Sequence, residues 1–183
     1  MRLFILVLAT SIVTCACSTL VYQEPISGPR ARVRFATDSK DISVLRTYSD
    51  KNCSTNEAEW MRLRNGVLIN ASPKRLGISL WRDHENAAKE VYVGAGSPIY
   101  GLFIGGEMAE NMIYRCGTSF LFTFQDAYDY EVRFRWSRKQ CYVTISQISD
   151  PQSGAEIKQL AEFTNQVTEA NKGCLDAFNA KRF

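Results

Sequence analysis

Between residues 130 and 136 the chain alternates, with Tyr130, Val132, Phe134 and Trp136 on one face and Glu131, Arg133 and Arg135 on the other. A period of two places successive side chains on opposite sides of a β-strand, so one face is expected in a core and the other in water. Phe120, Phe122 and Phe124 repeat the spacing, and the aspartates at 126 and 129 make the intervening turn, so the two segments read as a hairpin. Short β-branched or aromatic runs at residues 90–93, 99–104, 112–116 and 141–148 are set apart by Gly, Asp, Asn or Ser. Earlier, Arg30, Arg32 and Arg34 alternate with Ala31, Val33 and Phe35, which predicts a first strand over 30–36; residues 43–48 predict a second.

Two segments carry helix signals. Ser54 with Glu57 forms a capping-box pattern, while Asn65 and Gly66 between residues 60–64 and 67–69 form a hairpin turn; a short helix running into a turn and a strand satisfies both. Ser153 with Glu156 repeats the box, and Ile157, Leu160, Ala161, Thr164, Val167, Cys174, Leu175 and Phe178 then follow helical spacing, with Gly173 ending or kinking the helix. Gly94, Gly96 and Pro98 mark a turn, and Gly105 with Gly106 another. The expected fold is mainly β, an antiparallel β-sandwich or partly open barrel with a C-terminal α-helix.

The first residues break this pattern. Arg2 precedes an uncharged apolar run over residues 3–13, and small residues flank Ala16 and Cys17, the order of an export signal. The stretch Thr14-Cys15-Ala16-Cys17 resembles the bacterial lipobox. That resemblance implies a diacylglycerol on Cys17, removal of residues 1–16, further acylation of the new amino terminus, and, from Ser18, sorting to the periplasmic side of the outer membrane. Other readings of the same residues are acylation at Cys15, an uncleaved span over residues 3–21, and cleavage after Ala16 that releases a soluble periplasmic protein. Residues 17–29 would be a lipid-anchored tether with little to pack, and residues 30–183 a single domain, long enough for a core of its own.

Of six cysteines, Cys53, Cys116, Cys141 and Cys174 lie beyond the leader, an even number that suits an oxidising compartment. Among the three possible connectivities, Cys116 with Cys141 is favoured because both sit on nearby strand-like segments, which leaves Cys53 for Cys174. No Cys-x-x-Cys spacing points to a redox or metal site. The formal charge of +3 comes from Lys and Arg scattered along the chain, which gives no electrostatic case for nucleic acid.

Candidate chemistry is sparse. His84, the one histidine, lies in a polar stretch beside Asp83 and Glu85 and reads as a surface residue; no Gly-x-Ser-x-Gly elbow accompanies it. The carboxylate pairs Glu107 with Glu110 and Asp126 with Asp129 fall in expected turns. Tyr128, Tyr130, Phe134 and Trp136 read as core, with Tyr142 turned the other way. No catalytic residue, cofactor or metal ligand is expected.

The export signal, the run from Ser27 through Phe35, the Ala95-Gly96-Ser97-Pro98 turn and the spacing of Cys116, Tyr130, Glu131, Val132, Cys141, Tyr142 and Val143 together resemble small, uncharacterised lipoproteins of Gram-negative bacteria. The resemblance spans most of the chain and implies location and fold rather than chemistry. The expectation is a membrane-tethered protein with a non-enzymatic binding or assembly role toward an envelope partner. An inhibitor or accessory component of an envelope secretion or wall-degrading machine is the second expectation, and a periplasmic hydrolase the third.

Overall fold

A computed structural model describes residues 22–39, 42–64, 75–80, 87–109, 112–137, 140–149, 156–169 and 171–180. Nine strands and one helix are formed among them: β1 (Arg30–Thr37), β2 (Ile42–Tyr48), β3 (Ala58–Arg64), β4 (Ala88–Gly94), β5 (Pro98–Ala109), β6 (Met112–Thr123), β7 (Asp129–Ser137), β8 (Gln140–Ile148), β9 (Ile157–Thr164) and α1 (Lys172–Ala180). The strands make two stacked sheets, ordered β4-β1-β7-β8-β9 and β3-β2-β5-β6. This is the mainly β sandwich with a C-terminal helix that the alternation predicts; neither sheet closes into a barrel. One pairing, β1 with β7, is parallel and the rest are antiparallel.

The core lies between the sheets. Val33, Phe35, Tyr130, Val132 and Phe134 project inward from the first sheet onto Leu45, Phe103 and Phe120 from the second, all nearly or fully buried. The Phe103 and Phe134 rings stack with centroids 5.4 Å apart, a contact that spans the two layers. Gly101 and Gly105 on β5 make room for this packing: a Cβ there would lie 2.2 Å from the Phe120 ring and 2.5 Å from that of Phe134. Gly105 and Gly106 are therefore strand interior, paired with Cys116 and Arg115, rather than the expected hairpin turn.

β6 and β7 are not a hairpin. They belong to different sheets, and the turn at residues 126–127 carries the chain across the core, so that Phe122 and Phe124 meet Tyr130 ring to ring at 5.8 and 5.1 Å. Turn residues mark a reversal but do not say whether it runs within a sheet or between two. The expected strands at 112–116 and 119–124 are one strand, with Gly117 at its middle under the ring of Phe178.

One helix expectation is overturned and the other is borne out only in its last third. The Ser54 region holds no helix: the Asp50 carboxylate accepts hydrogen bonds from the backbone of Asn52, Ser54 and Thr55 and from the Ser54 and Thr55 hydroxyls, organising a loop that leads into β3. Residues 157–164 form edge strand β9 against β8 rather than a helix, leaving Ile157 and Leu160 about 40% exposed. Pairing with an available sheet edge satisfies backbone groups that a helix would satisfy internally, and the sequence pattern did not distinguish the two. The helix is short and starts at Lys172, so Gly173 opens it rather than ending it; a Cβ there would sit 2.5 Å from Asn52 Oδ1.

Both disulfides pair as expected. Cys116–Cys141 joins β6 to β8 across the core, and the Thr118 hydroxyl donates to the Cys141 carbonyl at 3.1 Å. Cys53–Cys174 fastens the loop after β2 to α1 on the outer face of the second sheet, against Tyr48 and Leu102. Tyr22 packs on the domain: its ring lies 4.2 Å from that of Trp60 and its hydroxyl donates to the Tyr92 carbonyl.

Candidate functional site

The polar face of β1 and β7 is not the wet surface the alternation suggests. Arg34 is fully buried; its Nε and Nη2 donate to Glu90 Oε1 at 3.1 and 3.0 Å, and its Nη1 donates to Glu131 Oε2 at 3.2 Å. Nη2 also reaches the carbonyls of Ile78 and Ser79, at 2.6 and 2.9 Å. Glu90 Oε2 accepts from the backbone amides of Leu76, Gly77 and Ile78. Residues 75–80 are thus pinned over the sheet by one ion pair that uses their own backbone as its solvent. Arg133 continues the chain of charges from Glu131 to Asp38, at 2.8 and 2.6 Å. Burial pushes the Glu131 carboxyl up, but the bonds from Arg133 and Arg34 outweigh it and hold the group below its ordinary value. Arg34 and Arg133 are gathered here as scaffold.

Open space lies elsewhere, where the two sheets end. β6 is an edge of the second sheet and β9 an edge of the first. The segment after β9 passes to α1, and Asn171 shapes it: its Oδ1 accepts from the Thr168 amide at 2.7 Å and its Nδ2 donates to the Gln166 carbonyl at 2.8 Å. Beside this turn lies a cleft of about 350 Å³. Tyr100, Phe120 and Leu121 line it from the second sheet, and Phe163 from β9. The Phe120 and Phe163 rings are 6.2 Å apart. Lys51 and Cys53 line it from the loop after β2, so the Cys53–Cys174 bond is part of the wall.

Ser119 gives this cleft its chemistry. It is 7% exposed and lines the cleft, yet its Oγ has no hydrogen-bond partner among the described residues. A buried hydroxyl left unpaired costs about 1–3 kcal/mol, and because the Ser119 Oγ has almost no accessible surface, a ligand recovers that penalty by parting the wall over it. The size matches small-molecule sites, which run from roughly 300 to 1,000 Å³ and combine apolar walls with a few polar groups. Nothing in the sequence marked Ser119, which sits in an ordinary strand run between Thr118 and Phe120; its role depends on β6 being an edge.

The residues singled out by sequence are dispersed. Tyr130 and Phe134 are buried and Trp136 packs partly against the core, as expected, but Tyr128 is 45% exposed and Tyr142 half-buried. Asp126 accepts from the Arg30 amide at 2.7 Å, and Asp129 takes a two-pronged bond from Arg32, both contacts at 2.6 Å; each is a structural partner of β1. Cys15, Cys17, His84, Glu110 and the Asn65-Gly66 turn lie outside the described residues, as does the side chain of Glu107. Among the described residues no group of three or more His, Cys, Asp or Glu side chains is placed to hold a metal ion. No family model matches this chain, and neither does any curated protein or solved structure.

Proposed function

We propose that this chain is a lipid-anchored cell-envelope protein with a non-enzymatic binding role in the periplasm, and that the cleft beside β6 is where it binds. The observation that carries the binding role is the unpartnered Ser119 hydroxyl in an apolar cleft of about 350 Å³. Two internal disulfides support the compartment, because such bonds persist where thiols are oxidised. The lipobox resemblance at Thr14-Cys15-Ala16-Cys17 supports an anchor at Cys17 and the outer membrane as destination.

Edge strand β9 favours a second reading. Its edge, unpaired among the described residues and with Ile157 and Leu160 exposed, is a surface on which a partner protein can add a strand, as an inhibitor or accessory component of an envelope machine would need.

Membrane fractionation of the wild type and of Cys17→Ser tests the anchor. The wild type is expected in the outer-membrane fraction at the mass of residues 17–183 plus lipid, and the variant unlipidated. Identical mass and attachment in the two would remove the lipoprotein reading.

A further inference from the structure

Resting on the reading of the cleft as a binding site, we propose that its ligand is a small zwitterion with an apolar body, the chemistry of a free amino acid with an aromatic or large aliphatic side chain. Three features set that class. Phe120, Phe163, Tyr100 and Leu121 supply ring faces and an aliphatic surface for the apolar body. The Ser119 hydroxyl, enclosed and unpartnered, can donate to a carboxylate or accept from an ammonium group. Charges of opposite sign come to the cleft from different elements: Lys51 from the loop after β2 and Glu162 from β9.

Lys51 and Glu162 do not pair with each other within 4.0 Å among the described residues, so each is left for a ligand to engage. A fatty acid or other apolar anion would satisfy Lys51 and bring a like charge to Glu162; an apolar amine would do the reverse. Only a ligand carrying both charges meets both residues. The uncharged Thr164, Thr168 and Asn171, which also line the cleft, are neutral toward either end.

The test is calorimetric titration of the full-length, oxidised protein with four probes that share one ring: L-phenylalanine, 3-phenylpropanoate, 2-phenylethylamine and benzyl alcohol. Phenylalanine is expected to bind at least about fivefold tighter than either singly charged analogue, the scale of one hydrogen bond to a charged group at a solvated rim. Lys51→Gln should erase its advantage over phenylethylamine, and Glu162→Gln its advantage over phenylpropanoate. Ser119→Ala should weaken phenylalanine about threefold or more while leaving the fold intact. Equal binding of all four probes, or a ranking that neither charge variant moves, overturns the zwitterion and leaves the binding cleft standing. If none of the four binds, benzyl alcohol included, the cleft is no site for such a ring and both readings fall.

Discussion

Arg34 and Glu90 form a fully enclosed pair, 0% and 1% exposed, in which two guanidinium nitrogens share one carboxylate oxygen while the other oxygen collects backbone amides of residues 76–78. Neither charge could be taken from water without those extra bonds, since the attraction of a buried pair alone does not offset its desolvation. The pair therefore works as a clasp for residues 75–80.

Removing one half of the clasp leaves the other charge buried and alone. Arg34→Met and Glu90→Gln are each expected to destabilise the fold by about 3–5 kcal/mol in chemical denaturation. Losses under about 1 kcal/mol in both would show that the segment over the sheet is not held by this pair.

Acid should loosen the same face. Glu131 is held below its ordinary value of 4.5 in the folded chain, so its contribution to stability is complete above that value and is lost as pH falls through the folded one. Asp50, half-exposed and drawn down to about 2 chiefly by its bond from Thr55, acts in the same direction, with solvent screening part of the effect. Thermal melts between pH 7 and pH 3 should therefore fall less steeply for Glu131→Gln than for the wild type, from a lower starting point. Parallel curves would remove Glu131 as a source of the acid sensitivity.

The two disulfides should differ in weight. Loop-closure entropy assigns about 3.5 kcal/mol to a bridge spanning 25 residues and about 4.9 kcal/mol to one spanning 121, the separations of Cys116–Cys141 and Cys53–Cys174. Replacing both cysteines of a pair by alanine is accordingly expected to cost more for Cys53 with Cys174, and to free α1 and the wall of the cleft. Chemical denaturation of the two double-alanine variants should therefore show the larger loss for the Cys53 and Cys174 pair. A larger loss for Cys116 with Cys141 contradicts this order.

Ser119 should show the opposed signs of a binding residue. Ser119→Ala removes an unpaired buried hydroxyl and is expected to raise stability by about 1 kcal/mol, or roughly 2–4 °C in Tm for a chain of this size. The same change weakens the ligand. A lowered Tm would mean that the hydroxyl has a structural partner after all.

Local alternation was enough to show where most strands lie and which side of each faces inward, because the side-chain period of a strand is a property of the backbone itself. Residues 130–136 display it plainly: Tyr130, Val132 and Phe134 are buried as their spacing required. Cysteine number and position likewise favoured two bridges, and both formed. Partner choice was not local. Whether the turn at 126–127 folded β7 back on β6 or sent it across the core, and whether residues 157–164 coiled or lay against β8, depended on which edges and faces the rest of the chain offered. Glu131, Arg133 and Arg34 read as solvated because charge predicts water; they are covered because Glu90 and the backbone of residues 75–80 replace that water with fixed partners. The cleft is more dependent still on tertiary structure. Ser119, Phe163 and Lys51 come from three distant segments, and only the approach of β6, β9 and the loop after β2 brings them to one cleft.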